Sequence, residues 1–117
     1  AIAQAVITDV EAIFTAAEIH AARAGALAND EIRGVLPTEF VGLIDARVFS
    51  GGTPLGGVYD WNGPGTSAPI YGVAIRGPLD NGLRLLIDNT FDDGVLTTGW
   101  ITQAQDSGIK FELAPNP

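Results

Sequence analysis

The sequence predicts an α+β fold, a long N-terminal helix laid on a small antiparallel sheet. Three observations carry that expectation. Apolar residues in the first 28 positions recur in steps of three and four. Turn-forming residues crowd the rest of the chain, with fifteen Gly and seven Pro, all after residue 24. Between those turns lie short stretches that alternate with a period of two. A helix followed by antiparallel strands is an α+β arrangement, with the apolar face of the sheet covering the apolar stripe of the helix. The 117 residues suit one domain. It divides into the helix (1–28), a short helix with loops (29–56) and a sheet region (57–117).

The helix expectation rests on Ile2, Val6, Val10, Ile13, Phe14, Ala17, Ala21, Ala24 and Ala28, which share one stripe at helical spacing. Gln4, Thr8, Glu11, Thr15 and Glu18 fall on the opposite side. No Pro interrupts the run, and alanine gives it high intrinsic helix propensity. At 1.5 Å per residue such a helix is roughly 40 Å long. The stripe is shallow. Its large side chains concentrate at Val10, Ile13 and Phe14, so stability has to come from packing on the rest of the chain. Val10, Ile13, Phe14 and Ala17 are the expected helix–sheet contacts.

The helix is expected to fray between Gly25 and Asp30, where Gly25, Asn29 and Asp30 accumulate. Thr38 reads as an N-cap for a short helix over 38–45, with Phe40, Leu43 and Ile44 as its apolar face. Residues 50–57 read as a loop. A strand is expected over 57–61, with Val58 and Asp60 on one face and Tyr59 and Trp61 on the other. The turn Asn62-Gly63-Pro64-Gly65 leads to a second strand over 71–76, forming an antiparallel hairpin. Residues 80–88 fit either a buried strand or a short helix. Asp80 as N-cap, with Leu83, Leu86 and Ile87 on one side, favours the helix. Asp92-Asp93-Gly94 is a turn in which Gly94 suits positive φ. Residues 99–105 and 110–113 form a closing hairpin through Asp106-Ser107-Gly108, and the tail 114–117 extends the sheet little.

Composition excludes several function classes. A hydrophobic fraction of 46% with 17% charged residues is that of a folded globular chain rather than a disordered one. With no Cys, disulfides, thiol catalysis and Cys-based zinc sites are ruled out. Fourteen acidic against six basic residues give a net charge of −8, which disfavours nucleic acid and anionic membrane surfaces. The basic residues are scattered along the chain. No run approaches the length of a membrane span, and no signal peptide is recognisable.

Candidate chemistry is sparse. His20 is the only histidine and sits at the edge of the helix stripe. A triad or a His-based metal site would have to recruit distant carboxylates and hydroxyls. Asp88, Asp92 and Asp93 are the densest carboxylate group, and their oxygens could ligate Ca²⁺. Their spacing is not that of an EF-hand, and a solvated turn is the plainer reading. Glycines 51, 52, 56 and 57 match neither GxGxxG nor a P-loop. Tyr59, Trp61 and Tyr71 could form an aromatic surface for a small ligand such as a sugar, although such residues more commonly serve as the core and edge of a hairpin. No catalytic constellation emerges.

Three segments, in this order, resemble the pilin-like proteins of type IV pilus and type II secretion systems. The first is AQAVITDVEAIFTAAEIHAARAG (3–25), similar to the C-terminal half of the long pilin helix, which commonly ends near a Gly. The second is GVLPTEFVGLI (34–44) leading to TPLGGVYDW (53–61) and YGVAIRG (71–77). The third is LLIDNTFDDGVLTTGWI (85–101), similar to the Asp-Asp-Gly then Thr-Gly pattern near the C-terminus of many prepilin-type proteins. The family's apolar membrane-spanning segment, with its Glu near the start, has no match here. The expectation is therefore a soluble fragment of an inner-membrane-anchored protein facing the periplasm or an extracellular filament. The resemblance implies a bacterial structural subunit, not an enzyme. Its partners would be other pilin or pseudopilin subunits, assembled through the N-terminal helix, and the fragment alone would be monomeric. Secretion pseudopilins often bind calcium in a C-terminal loop, which draws attention to Asp88, Asp92 and Asp93, although no ligand set carries over residue by residue. The alternative is a small ligand-binding module using Tyr59, Trp61 and Tyr71.

Overall fold

A computed structural model of the chain describes residues 2–104 and 106–117. Helix α1 (Ile2–Ala24) opens the chain and buries Val6, Ile7, Val10, Ile13, Ala16 and Ala17. Phe14 lies at the rim of this stripe, only partly buried. The helix stops four residues short of the expected end. Gly25 adopts φ +81° and donates its N–H to Ala21 O at 2.8 Å, a left-handed C-terminal cap that the absence of Cβ makes easy. Ala28 is fully buried, but in the returning segment, where its carbonyl accepts the indole N–H of Trp61 at 3.1 Å.

The expected helix over 38–45 is a single 3-10 turn, Thr38–Phe40. Thr38 does not cap it. Pro37 holds that position, Val41 is already extended at ψ 127°, and Gly42 follows at φ +84°. Phe40 still reaches the core. A second short turn, α2 (Arg47–Ser50), inserts Phe49.

Four strands form one antiparallel sheet in the order β1 (Tyr59–Asn62), β2 (Ile70–Ile75), β4 (Ile109–Pro115), β3 (Ile101–Gln103). The expected β1–β2 hairpin is present, with Trp61 opposite Val73. The closing hairpin is present too, with Ile101 opposite Phe111; Gln105 lies outside the described residues. β4 runs on to Pro115, further than expected. Alternation along these strands sends Tyr59, Trp61, Val73, Ile75, Ile101, Ile109 and Phe111 inward, all 0% exposed. Phe40 meets Trp61 edge-on with centroids 5.2 Å apart.

Helix α3 (Asn81–Phe91) crosses from β2 to β3. Asp80 caps it, accepting the Leu83 N–H at 3.2 Å. Of its expected face, Ile87 is buried and Leu83 partly buried, but Leu86 is half exposed, and Arg84 and Asp88 are buried instead. The following loop is the reason. It folds back over the Asp88 side, tied by Trp100 Nε1–H to Phe91 O at 3.0 Å and by Ile101 N–H to Asp92 Oδ2 at 2.8 Å.

Candidate functional site

Two polar centres stand out, one at the end of α3 and one on the outer face of the sheet. The first is the expected acidic group. Asp88 lies in the last turn of α3, Asp92 closes the helix and Asp93 follows. One carboxylate oxygen of each lies within 4.8 Å of the others. Asp92 is aimed by the Ile101 N–H, and Asp93 by the Val95 N–H at 2.9 Å and the Thr98 hydroxyl. Gly94 has the anticipated positive φ, +76°. Gly99, at φ +82°, is required twice over, because a Cβ there would overlap the Asp92 carboxylate. The pattern Asp92-Asp93-Gly94…Thr98-Gly99 thus closes a loop on its own side chains.

Asp88 is the unusual member. It is 0% exposed, and neither carboxylate oxygen makes a well-formed hydrogen bond among the described residues, although the Gly94 N–H and the Asp92 and Asp93 carboxylates lie close beside it. Burial pushes its pKa up, and the charges of Asp93 and Asp92 push it further. Asp93 moves the other way, held down by the Thr98 hydroxyl and the Val95 N–H. Arg84, one turn earlier, is also buried. It donates to Asn81 Oδ1 at 3.1 Å rather than pairing with Asp88. Buried carboxylates normally have partners. A hard divalent cation with oxygen ligands fits this donor set.

The aromatic residues do not form a surface. Tyr59 and Trp61 are fully buried beneath α1 and the 30–40 segment, and only Tyr71 is partly exposed. The expected alternation is present, but it points the Tyr59 and Trp61 rings into the core. The Tyr59 hydroxyl donates to Asp9 Oδ2 of α1 at 2.8 Å. His20 is partly buried and makes no hydrogen bond or ion pair among the described residues.

The second centre was missed in the sequence. Asp60, Asn62, Arg76 and Lys110 project from the outer face of the sheet into an open cavity of about 450 Å³, overhung by residues 66–69. Asp60, Ala74 and Lys110 are register partners across three strands. Arg76 pairs with Asp60 at 3.6 Å and with Asp106 at 3.2 Å. Lys110 is only 6% exposed and makes no ion pair among the described residues. Burial pushes its pKa down to about 8, against the pull of Asp60 and Asp30. In the amide orientation that satisfies both neighbours, Asn62 donates to Asp30 Oδ1 at 3.2 Å and accepts from Lys110 Nζ. The available signal was Lys110 itself, the only lysine of the chain, set at an outward position of a strand.

Comparison with known proteins finds no matching family model, no matching curated protein and no matching solved structure.

Proposed function

We propose that this chain is the globular part of a pilin-like subunit of a type IV pilus or type II secretion filament, with a structural rather than catalytic role. One observation carries the reading: the chain opens with a helix as long as the domain, lying by one stripe on an antiparallel sheet. At 1.5 Å per residue the 23 residues of α1 span about 34 Å, against a longest dimension of 38 Å. Its first turn, with Ile2 46% exposed, is where an upstream extension would leave the domain.

In this reading the anchor and the dry helix contacts belong to an apolar segment preceding Ala1. None of the described helices is long and apolar enough to cross a membrane. The face of α1 carrying Gln4, Thr8, Glu11, Thr15 and Glu18 is exposed and polar, unsuited to a tightly dry interface. The net charge of −8 opposes self-association of the domain at low salt. Within the same reading, Asp88, Asp92 and Asp93 hold a calcium ion that fastens the loop after α3. The unpartnered Asp88 carboxylate favours this.

The test is the coding sequence immediately before Ala1, followed by expression of the longer protein. About 20 apolar residues there, a protein in the membrane fraction, and crosslinks between cysteines placed on neighbouring α1 helices are the expected results. Ordered polymers of the 117-residue domain alone, or a longer gene without an apolar segment, would overturn it.

A further inference from the structure

Lys110 carries the only side-chain amine in the chain, and the fold spends it on an amide. β2 lies between β1 and β4, and the residues separating Lys110 from Asn62 are Ala74 and Gly72. A methyl and a hydrogen leave the four-carbon lysine stem free to lie across β2. Its Nζ meets Asn62, whose amide nitrogen is held by Asp30. Asn62 is 8% exposed and Lys110 6%. An amine and a carboxamide from β4 and β1 therefore meet at a shielded point, and the exposed carboxyl group of Asp30, in the segment after α1, stands over the amide.

We propose that Lys110 and Asn62 become joined by an intramolecular isopeptide bond, Nζ to Cγ, formed by the folded chain itself, with Asp30 as the proton-transfer group. The inference does not depend on the filament reading. The neutral amine attacks Cγ of Asn62, and the carbonyl π pair moves onto Oδ1. One Nζ proton passes through Asp30 to the amide nitrogen. The carbonyl re-forms, the bond to that nitrogen breaks, and ammonia leaves. One C–N bond is made and one broken, and nothing is oxidised or reduced.

Protonation favours each partner in its role. With its pKa near 8, about one Lys110 amine in ten is neutral at pH 7. Burial raises the pKa of Asp30, which favours the carboxyl form that can give a proton. The charged groups acting on the amine are Asp60, Asp30 and Arg76. Arg76 is occupied by Asp60 and Asp106, which leaves the Asn62 carbonyl as the acceptor facing Lys110.

Intact mass spectrometry of the folded 117-residue chain tests the proposal. The expected mass is that of the sequence less one ammonia, and digestion should yield a branched peptide joining the segments of Asn62 and Lys110. An amine-acylating reagent in strong denaturant should leave Lys110 unmodified. Lys110→Arg, which keeps the charge, should restore the full mass. So should Asp30→Ala, with circular dichroism checking that each variant is folded. Asn62 precedes Gly63, and attack by the Gly63 nitrogen on the same Cγ would also release ammonia, giving a succinimide. Loss of ammonia that persists in Lys110→Arg therefore overturns the proposal, as does an acylable Lys110 at full mass in the unaltered chain. Loss that persists in a folded Asp30→Ala overturns the role given to Asp30.

Discussion

Tyr59, at the start of β1, donates its hydroxyl to Asp9 in the third turn of α1, joining helix and sheet by a polar contact at the edge of the core. Burial and the Asp9 carboxylate both push the phenol pKa well above its ordinary value near 10. A raised pKa stabilises the fold below the unfolded value, and the effect is lost as pH rises beyond it. The unfolded chain sheds the phenol proton from about pH 10 upward while the folded chain keeps it. Tyr59→Phe should cost about 1–2 kcal/mol at pH 7. Above pH 10 the gap between the two proteins should narrow. Urea denaturation at pH 7 and pH 10.5 measures both effects.

The α1 stripe provides a paired test. Ile13 is 0% exposed, whereas Thr15 faces solvent. Ile13→Asp buries a carboxylate without a partner and should cost about 3–5 kcal/mol. Thr15→Asp should change stability by less than about 0.5 kcal/mol. Equal denaturation midpoints for the two variants would contradict the packing.

Millimolar Ca²⁺ should raise the melting temperature by binding the folded state selectively. Asp93→Asn should abolish the rise. Asp88→Asn should abolish it too, while stabilising the calcium-free protein at neutral pH by removing a buried charge. Asp88 has a raised pKa, so its protonation favours the ligand-free fold as pH falls and competes with the cation. The calcium-induced shift should therefore be larger at pH 7 than at pH 5. Calorimetric scans at the two pH values, with calcium and with chelator, read the difference.

Gly99→Ala should destabilise by about 2 kcal/mol or more, since it combines positive φ with a Cβ overlapping the Asp92 carboxylate. Gly25→Ala also places a side chain at positive φ, but nothing lies within 4 Å of its Cβ. It should cost about 1 kcal/mol. Chemical denaturation ranks the two.

Period and punctuation made most of the fold legible. Steps of three and four located α1, alternation gave the inward rings of Tyr59 and Trp61, and Asp80 marked the start of α3. Local pattern failed where tertiary contact decided. Gly25 ended α1 early, because its left-handed cap outweighed the alanines beyond it. The buried face of α3 includes the expected Ile87, but it turns towards Arg84 and Asp88 rather than Leu86 because the loop after Phe91 packs on the Asp88 side, which no spacing within the helix reveals. The acidic group was legible because its members are close in sequence. Asp30, Asn62 and Lys110 are not, since the strand order β1-β2-β4 is what brings them together.

Both margins of the sheet are partly occupied. Along β1, the Tyr59 and Trp61 carbonyls accept from Gly34 N–H at 2.8 Å and Glu31 N–H at 3.3 Å. Along β3, the Ile101 N–H is taken by Asp92 and the Gln103 N–H by Leu96 O at 2.8 Å. Strand addition needs just these free groups. Taking up part of each margin lowers the tendency to the cross-β polymerisation that open margins invite, and a concentrated solution should leave amyloid-sensing dyes dark. Neighbours that gather around it are thereby steered towards its faces rather than towards the ends of its sheet.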